Sequence, residues 1–384
     1  MHNRGRPEIR SGNNGHHEKS LHALALSIFS DNGIEAAAAL YELLKWSSGQ
    51  TPIAPQMPVG TIPPRKEIFC QPTYLLVSSL TKFIQYHITP WIQGPSIDPA
   101  ITALTILSNL VNSVDSIPII SNCIIVASNP DTMILLLRLS YHSYSPLCHL
   151  SQSILEQIGR FCNIREVLGC KKSLQSQLEK QKEQFKGNSE KSENDDNDIE
   201  ESNNDNNNDN GCQEINDFVS TLCSLFQLAN PAKDEAHIDI FINFALLPDN
   251  CRLFMDTMGT EAMVNRIAQL LGYPSVTIRD ILLEAVYLFC MTNTDFKDAA
   301  CSSNFLLRSL LNLTIPPSEP FETKTVVPFT PCQKACTLLL DLSDDARVIS
   351  YLANFKIQLA AVMLKWKSNG LPQLALKVSN ASSR

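Results

Sequence analysis

Asp98-Pro99, Asn129-Pro130, Ser145-Pro146, Asn230-Pro231 and Thr330-Pro331 each place a short polar side chain directly before a proline. An oxygen on the first residue can accept from an orphan amide of a helix's first turn, and the proline has no N–H to lose there. The pattern predicts five helix starts, each cap contributing about 1 kcal/mol. The residues that follow agree. After Ser145-Pro146, Leu147, Leu150, Ile154, Ile158 and Phe161 recur on one helical face, and after Thr330-Pro331 the face is Cys332, Ala335, Cys336, Leu339 and Leu342. Thr277 and Asp280 have the spacing of a capping box, and Ile278, Ile281, Leu282, Ala285, Leu288 and Phe289 mark the stripe behind them.

A chain punctuated this way has little use for sheet. It holds 14 glycines against 22 prolines, too few for the tight turns of hairpins and sandwiches, and its apolar runs are rich in Leu, Ile and Ala. The helices also end alike: "ALTILSNL" (103–110), "ILEQIGRFCNI" (154–164), "EAVYLFCMTN" (284–293) and "ACTLLLDLS" (335–343) each close on a small polar residue, often asparagine. A second apolar helix then follows a short loop. The recurrence, at roughly 50 to 65 residues, is longer than the ~40 of regular armadillo or HEAT units, which predicts degenerate repeats with inserted loops. The expected fold is all-α: an irregular armadillo/HEAT-like helical-repeat superhelix with a disordered acidic insertion.

Composition sets the boundaries. Residues 1–19 are polar and are expected to be a disordered N-terminus. Residues 20–186 form the first part of the armadillo-like domain, opening with two helical runs parted at Asn32-Gly33 and carrying a proline-rich loop at 50–64. Residues 187–211, "GNSEKSENDDNDIEESNNDNNNDNG", contain nine acidic residues and one lysine and so carry the whole formal charge of −8. With so few apolar groups to offset the entropy of ordering, this stretch is expected to be disordered. Residues 212–376 form the second part, expected to pack with the first as one continuous array, and 377–384 a flexible tail.

Outside the acidic stretch the charge is formally balanced, so the chain lacks the basic stripe that phosphate-backbone binding needs; no direct sequence-specific DNA binding is expected. The 12 cysteines sit in apolar helical runs and none is spaced C-x-x-C, which predicts buried thiols in a reducing compartment. The N-terminus lacks the apolar core of a signal peptide, and polar residues such as Asn109, Asp115, Pro118 and Asn122 interrupt the greasiest region. A soluble intracellular protein, without membrane contact, is the expectation.

No phosphate-binding glycine loop, nucleophile elbow or H-E-x-x-H is present. His142, Cys148 and His149 are the nearest approach to a metal cluster, but adjacent ligands straddling a helix start converge poorly on a tetrahedral ion. Cys332 and Cys336 share a helical face and are expected to pack in the core. Asn109, Asn163 and Asn312, near helix ends, stand where armadillo proteins place amides that grip an extended peptide; capping of their own helix ends is the expected role. No catalytic, cofactor-binding or metal-binding residue is assigned, partner-binding residues are left open, and no cofactor is expected.

Order and spacing from about residue 20 to 376 resemble a known family. The segments that carry the likeness are "LLRSLLNLTIPPSEPF" (306–321), "CQKACTLLLDLSDDARVISYLANFKIQLAAVMLKW" (332–366), "AITALTILSNLVNSVDS" (100–116) and "SVTIRDILLEAVYLFCMTN" (275–293). The chain looks like the C-terminal armadillo-like domain of the largest, ARID-containing (Osa-type) subunit of SWI/SNF chromatin remodellers. The likeness does not reach that family's DNA-binding module, so no DNA contact is carried over. What it implies is a non-catalytic nuclear scaffold, not an enzyme, that holds the motor ATPase and core subunits and meets the nucleosome only indirectly. The alternative is a general armadillo or HEAT-type peptide-binding adaptor outside chromatin.

Overall fold

A computed structural model describes residues 14–30, 32–49, 71–88, 97–112, 119–168, 210–314, 330–357, 359–360, 373–374 and 376–378. Among the described residues there is no β-strand, and the chain divides into two compact units, Met1–Phe218 and Val219–Arg384. The first holds α1 (Asn14–Ser27), α2 (Gly33–Gly49), α3 (Pro72–Ile88), α4 (Asp98–Val111), α5 (Ile120–Ala127), α6 (Pro130–Leu139), α7 (Ser145–Phe161) and α8 (Ile164–Leu168). The division falls within α9 (Asn210–Leu228). The second unit continues with α10 (Glu235–Ala245), α11 (Pro248–Met258), α12 (Thr260–Leu271), α13 (Val276–Thr292), α14 (Thr294–Ser302), α15 (Asn304–Leu313), α16 (Thr330–Leu342) and α17 (Ala346–Ala353).

In the first unit the helices stack in two rows. One runs α2, α4, α7 and the other α1, α3, α6; α5 wedges between α4 and α7. Leu76, Leu80 and Ile84 of α3, Leu104 and Leu107 of α4, and Leu147, Ile154 and Ile158 of α7 are shut away from water. Each such side chain contributes roughly 1.5–3 kcal/mol by leaving solvent. Some polar groups inside are matched: the Thr81 and Thr132 hydroxyls share a 2.6 Å hydrogen bond, and Asn122 Nδ2 donates to Leu110 O at 2.7 Å.

The second unit repeats the scheme with a row α10, α13, α16 and neighbouring contacts α12–α15 and α14–α17. Its core is aromatic. Phe226 stacks on Phe241 at 3.9 Å and Phe241 on Phe254 at 4.7 Å, while Phe289 meets Phe296 edge-on at 5.2 Å. Arg266 Nε donates to Phe226 O at 3.0 Å, satisfying a carbonyl that the end of α9 leaves open. Gly259 alone joins α11 to α12 and does so at φ 87°, a conformation that a side chain would strain. Each unit is thus an all-α, armadillo-like stack of paired helix rows, as the periodicity predicts.

Several boundaries differ from expectation. α1 begins at Asn14, inside the segment expected to be disordered, because once Leu21, Ala25 and Ile28 anchor a helix each further residue adds a bond without a new nucleus. α9 begins at Asn210, inside the acidic segment 187–211. Lys377 and Val378, assigned to a tail, are helical; Val378 is buried and Lys377 Nζ lies 2.5 Å from Asp344 Oδ1. The proline-rich loop at 50–64, residues 187–209 and residues 379–384 lie outside the described residues.

Of the five expected caps, Asn129 acts as drawn, its oxygen accepting from Thr132 N at 3.2 Å. Asp98 and Ser145 are instead the first helical residues, after Ile97 and Tyr144. Asn230-Pro231 starts a turn, in which Asn230 Oδ1 accepts from Ala232 N, and the helix waits until Glu235. Thr330 opens α16 as its first residue. The cap of α13 is Ser275, accepting from Ile278 N at 3.3 Å, while Asp280 pairs with Lys334 of α16 at 2.8 Å. Of the expected stripes, all five α16 residues are buried, whereas Leu150, Phe161, Ile281 and Leu288 are half-buried.

Candidate protein-docking site

The asparagines do not form a ladder. Asn109 Nδ2 donates across the stack to Ser47 Oγ at 3.2 Å and Ser48 Oγ at 3.4 Å, tying α4 to α2. Asn163 Oδ1 accepts from Arg165 N and Glu166 N, so it caps the helix that follows rather than the one it ends. Asn293 does the same for α14, accepting from Asp295 N and Phe296 N, and Ser303 for α15. Only Asn312 of the three is exposed. Asn163, Asn293 and Ser303 thus serve the next helix start, and Asn109 does not.

His142 and Cys148 sit in a tight junction between α6 and α7. Cys148 Sγ at 3.0 Å and Gln152 Nε2 at 3.1 Å both donate to the Ser140 carbonyl, and His142 Nδ1 accepts from Tyr144 N at 3.1 Å. His149 points to solvent. Among the described residues no three His, Cys, Asp or Glu side chains converge as metal ligands. Burial pushes the thiols of Cys123, Cys223, Cys251 and Cys290 up to about 12, which leaves them protonated and inert. Cys332 is held below its ordinary value by a hydrogen bond with Cys336, yet both sit in the core and Cys332 Sγ donates to Thr314 O.

The surface feature suited to holding another molecule is a groove of about 1040 Å³ in the first unit. Its walls are the end of α1 (Ile28, Phe29), the inner side of α2, the end of α3 and the start of α4. Phe83 forms the floor, edge-on to Phe29 at 6.3 Å and tilted against His87 at 4.3 Å. Burial among these rings lowers the His87 pKa and favours the neutral imidazole. Around the rim Phe29, Tyr41 and Tyr86 are 48%, 65% and 58% exposed, and Ile34 on α2 is 82% exposed. The local sequence explains the space: Ala36, Ala37, Ala38 and Ala39 follow one another on α2 and fill little volume. Chemically the groove offers apolar contact and aromatic faces to a peptide or a protein surface, and its size is that of a typical ligand site.

Of the groove residues only Asp98 and Pro99 stood out in the sequence, and they did so as a helix start. Phe29, Tyr41 and Tyr86 lie in apolar runs indistinguishable from core stripes; the four alanines were the available signal. Among the described residues no single helix is long and apolar enough to cross a membrane, and the bent apolar pair α5–α6 is packed inside the first unit.

No protein-family model and no curated protein matches the chain. Among solved structures it is similar to a designed armadillo repeat protein in complex with the peptide (KR)4, at 12% identity over 83% of this chain and 98% of that one, with a TM-score of 0.47. A computationally designed armadillo repeat protein for modular peptide recognition gives 12% identity, the same coverages and a TM-score of 0.46. A further designed armadillo repeat protein gives 13% identity over 82% and 96%, with a TM-score of 0.42.

Proposed function

We propose that this chain is a non-catalytic scaffold that binds other polypeptides through surfaces left open by its helix rows. Its finer identity is a nuclear subunit of a SWI/SNF-type chromatin-remodelling complex that holds the motor ATPase and core subunits. The observation that carries the scaffold reading is the groove of the first unit, where exposed Phe29, Tyr41 and Tyr86 surround an apolar floor. An apolar surface rimmed by aromatic residues is the signature of a protein-contact site. The finer identity rests on the segments 306–321 and 332–366, whose order resembles the armadillo-like domain of that complex's largest subunit. ATP hydrolysis would belong to another chain.

The adaptor alternative, in which asparagine amides grip an extended peptide, is less well supported. Asn109 spends its amide on Ser47 and Ser48, and Asn163 spends its oxygen on its own chain. A tagged copy recovered from nuclear extract should bring down the remodeller's ATPase and core subunits. Repeated recovery without them would remove the chromatin assignment and leave only the scaffold.

A further inference from the structure

Asn32-Gly33, which parts α1 from α2, has a chemistry that the packing of the stack does not use. Both residues are exposed. Asn32 caps α2: its Oδ1 accepts from Ile34 N at 3.2 Å and its main-chain carbonyl from Ala36 N at 3.0 Å. Its own amide donates to Ser30 Oγ at 3.3 Å, and that hydroxyl donates to Glu35 Oε2 at 2.8 Å. The Asn32 side-chain carbonyl is thus held at the helix start. Gly33 is the first residue of α2, so its amide has no acceptor in its own helix, and among the described residues it has none elsewhere.

These are the conditions for attack of a main-chain nitrogen on the preceding side chain. The Gly33 nitrogen, screened by no Cβ, adds to Asn32 Cγ and gives its proton to water. Negative charge develops on Oδ1, where the Ile34 N–H and the positive end of the helix already point. The Cγ–Nδ2 bond then breaks, ammonia leaves and a cyclic succinimide remains. Water, free to reach this exposed turn, opens the ring at either carbonyl to give aspartate or isoaspartate. No oxidant, cofactor or enzyme enters the balance. Asn-Gly recurs at 14–15, 210–211 and 369–370, but Asn14 and Asn210 are already helical residues of α1 and α9, and 369–370 lies outside the described residues. A helical backbone turns the next nitrogen away from the side-chain carbonyl, and Asn32 stands outside its helix.

We propose that Asn32 is a site of spontaneous deamidation whose isoaspartate product unwinds the first turn of α2. The two products differ in effect. Aspartate caps a helix as well as asparagine does. Isoaspartate routes the main chain through the side-chain carbon, which removes the acceptor of Ile34 N and displaces that of Ala36 N. Gly33, Ala36 and Ala37 line the groove, so one of its walls changes as the protein ages. The inference stands on the geometry of α2 and is independent of the scaffold reading.

The test incubates the full chain in mildly alkaline buffer beside a copy unfolded in urea and a Gly33→Ala variant, and follows residue 32 by peptide mass spectrometry. A Cβ at Gly33 would meet no atom within 4 Å, so the variant keeps the fold. Asn32 should convert in the folded chain at a rate within tenfold of the unfolded one, both products should form, and Gly33→Ala should slow the loss at least tenfold. Hydrogen exchange of the isoaspartate form should show the Ile34 and Ala36 amides several-fold less protected, while Asn32→Asp, which adds the charge alone, leaves them as they are. A folded rate more than tenfold below the unfolded one would overturn the proposal, because the cap would then shield the carbonyl. Equal loss in Gly33→Ala, aspartate as the only product, or an isoaspartate form whose amides keep their protection would do the same.

Discussion

The first unit contains the same junction twice, with opposite outcomes. Between α6 and α7 the connection is five residues, 140–144, and the wedge between the rows is shut: Ser140 is wholly buried and its carbonyl accepts from both Cys148 and Gln152. Between α3 and α4 the connection is nine residues, 89–97, and the wedge is the groove, walled by Phe29, Phe83 and Tyr86. A short connection pulls two helix ends together, and their polar groups then satisfy one another. Beside the longer one, along an alanine-rich α2, apolar surface is left that no described residue covers. The stack thus closes one junction and holds a groove at the other.

The comparison predicts which junction bears stability. Leu147→Ala at the closed junction should cost about 2–5 kcal/mol, read from the urea midpoint, because Leu147 is fully buried and the cavity it leaves has rigid walls. A loss under 1 kcal/mol would mean that the closed wedge can collapse and that the contrast is overdrawn. Asn129→Ala, which removes the cap at the other end of α6, should cost about 1 kcal/mol. Gln152→Leu should cost about 0.5–1.5 kcal/mol, since one donor to the Ser140 carbonyl is lost while Cys148 remains. On α2, Ile34→Ser should change stability by no more than about 0.5 kcal/mol, since the side chain is mostly in water already. A larger loss there would show that α2's outer side is covered within the chain.

The smallest effect expected is on pH dependence. Burial raises the Cys148 thiol above its ordinary value, so the folded state keeps a proton that the unfolded chain gives up first. Its contribution is complete below the ordinary thiol range and is lost as pH rises through the raised value. Cys148→Ser keeps a donor for Ser140 without that titration, so it should flatten the alkaline limb of the stability curve slightly; an unchanged limb would remove Cys148 from the junction's energetics.

Much of this architecture is legible in residues close in sequence. The stripe Cys332, Ala335, Cys336, Leu339 and Leu342 is buried as its period demands. The caps were harder to place for a definite reason. The first four amides of a helix are all unpaired, so a proline costs nothing at the first or the second position, and the residue before it can be the cap, like Asn129, or the first helical residue, like Asp98 and Ser145. Asp280 illustrates another limit: its expected part in a capping box gives way to Lys334, 54 positions along the chain, on a helix that only the tertiary fold brings alongside. Asn109 turned out to be a strut between helices because Ser47 and Ser48 stand opposite it, 62 and 61 positions earlier.

The sequence by itself determined the helices, their apolar faces and the absence of sheet among the described residues, because those follow from periodicity and propensity within a dozen neighbours. Only the tertiary structure decided which apolar faces meet a partner within the chain and which do not. Phe83 and Leu80 read alike as stripe residues, yet one floors a groove and the other is sealed in the core. That difference depends on which elements pack against each residue, a property of the stack that local pattern does not encode.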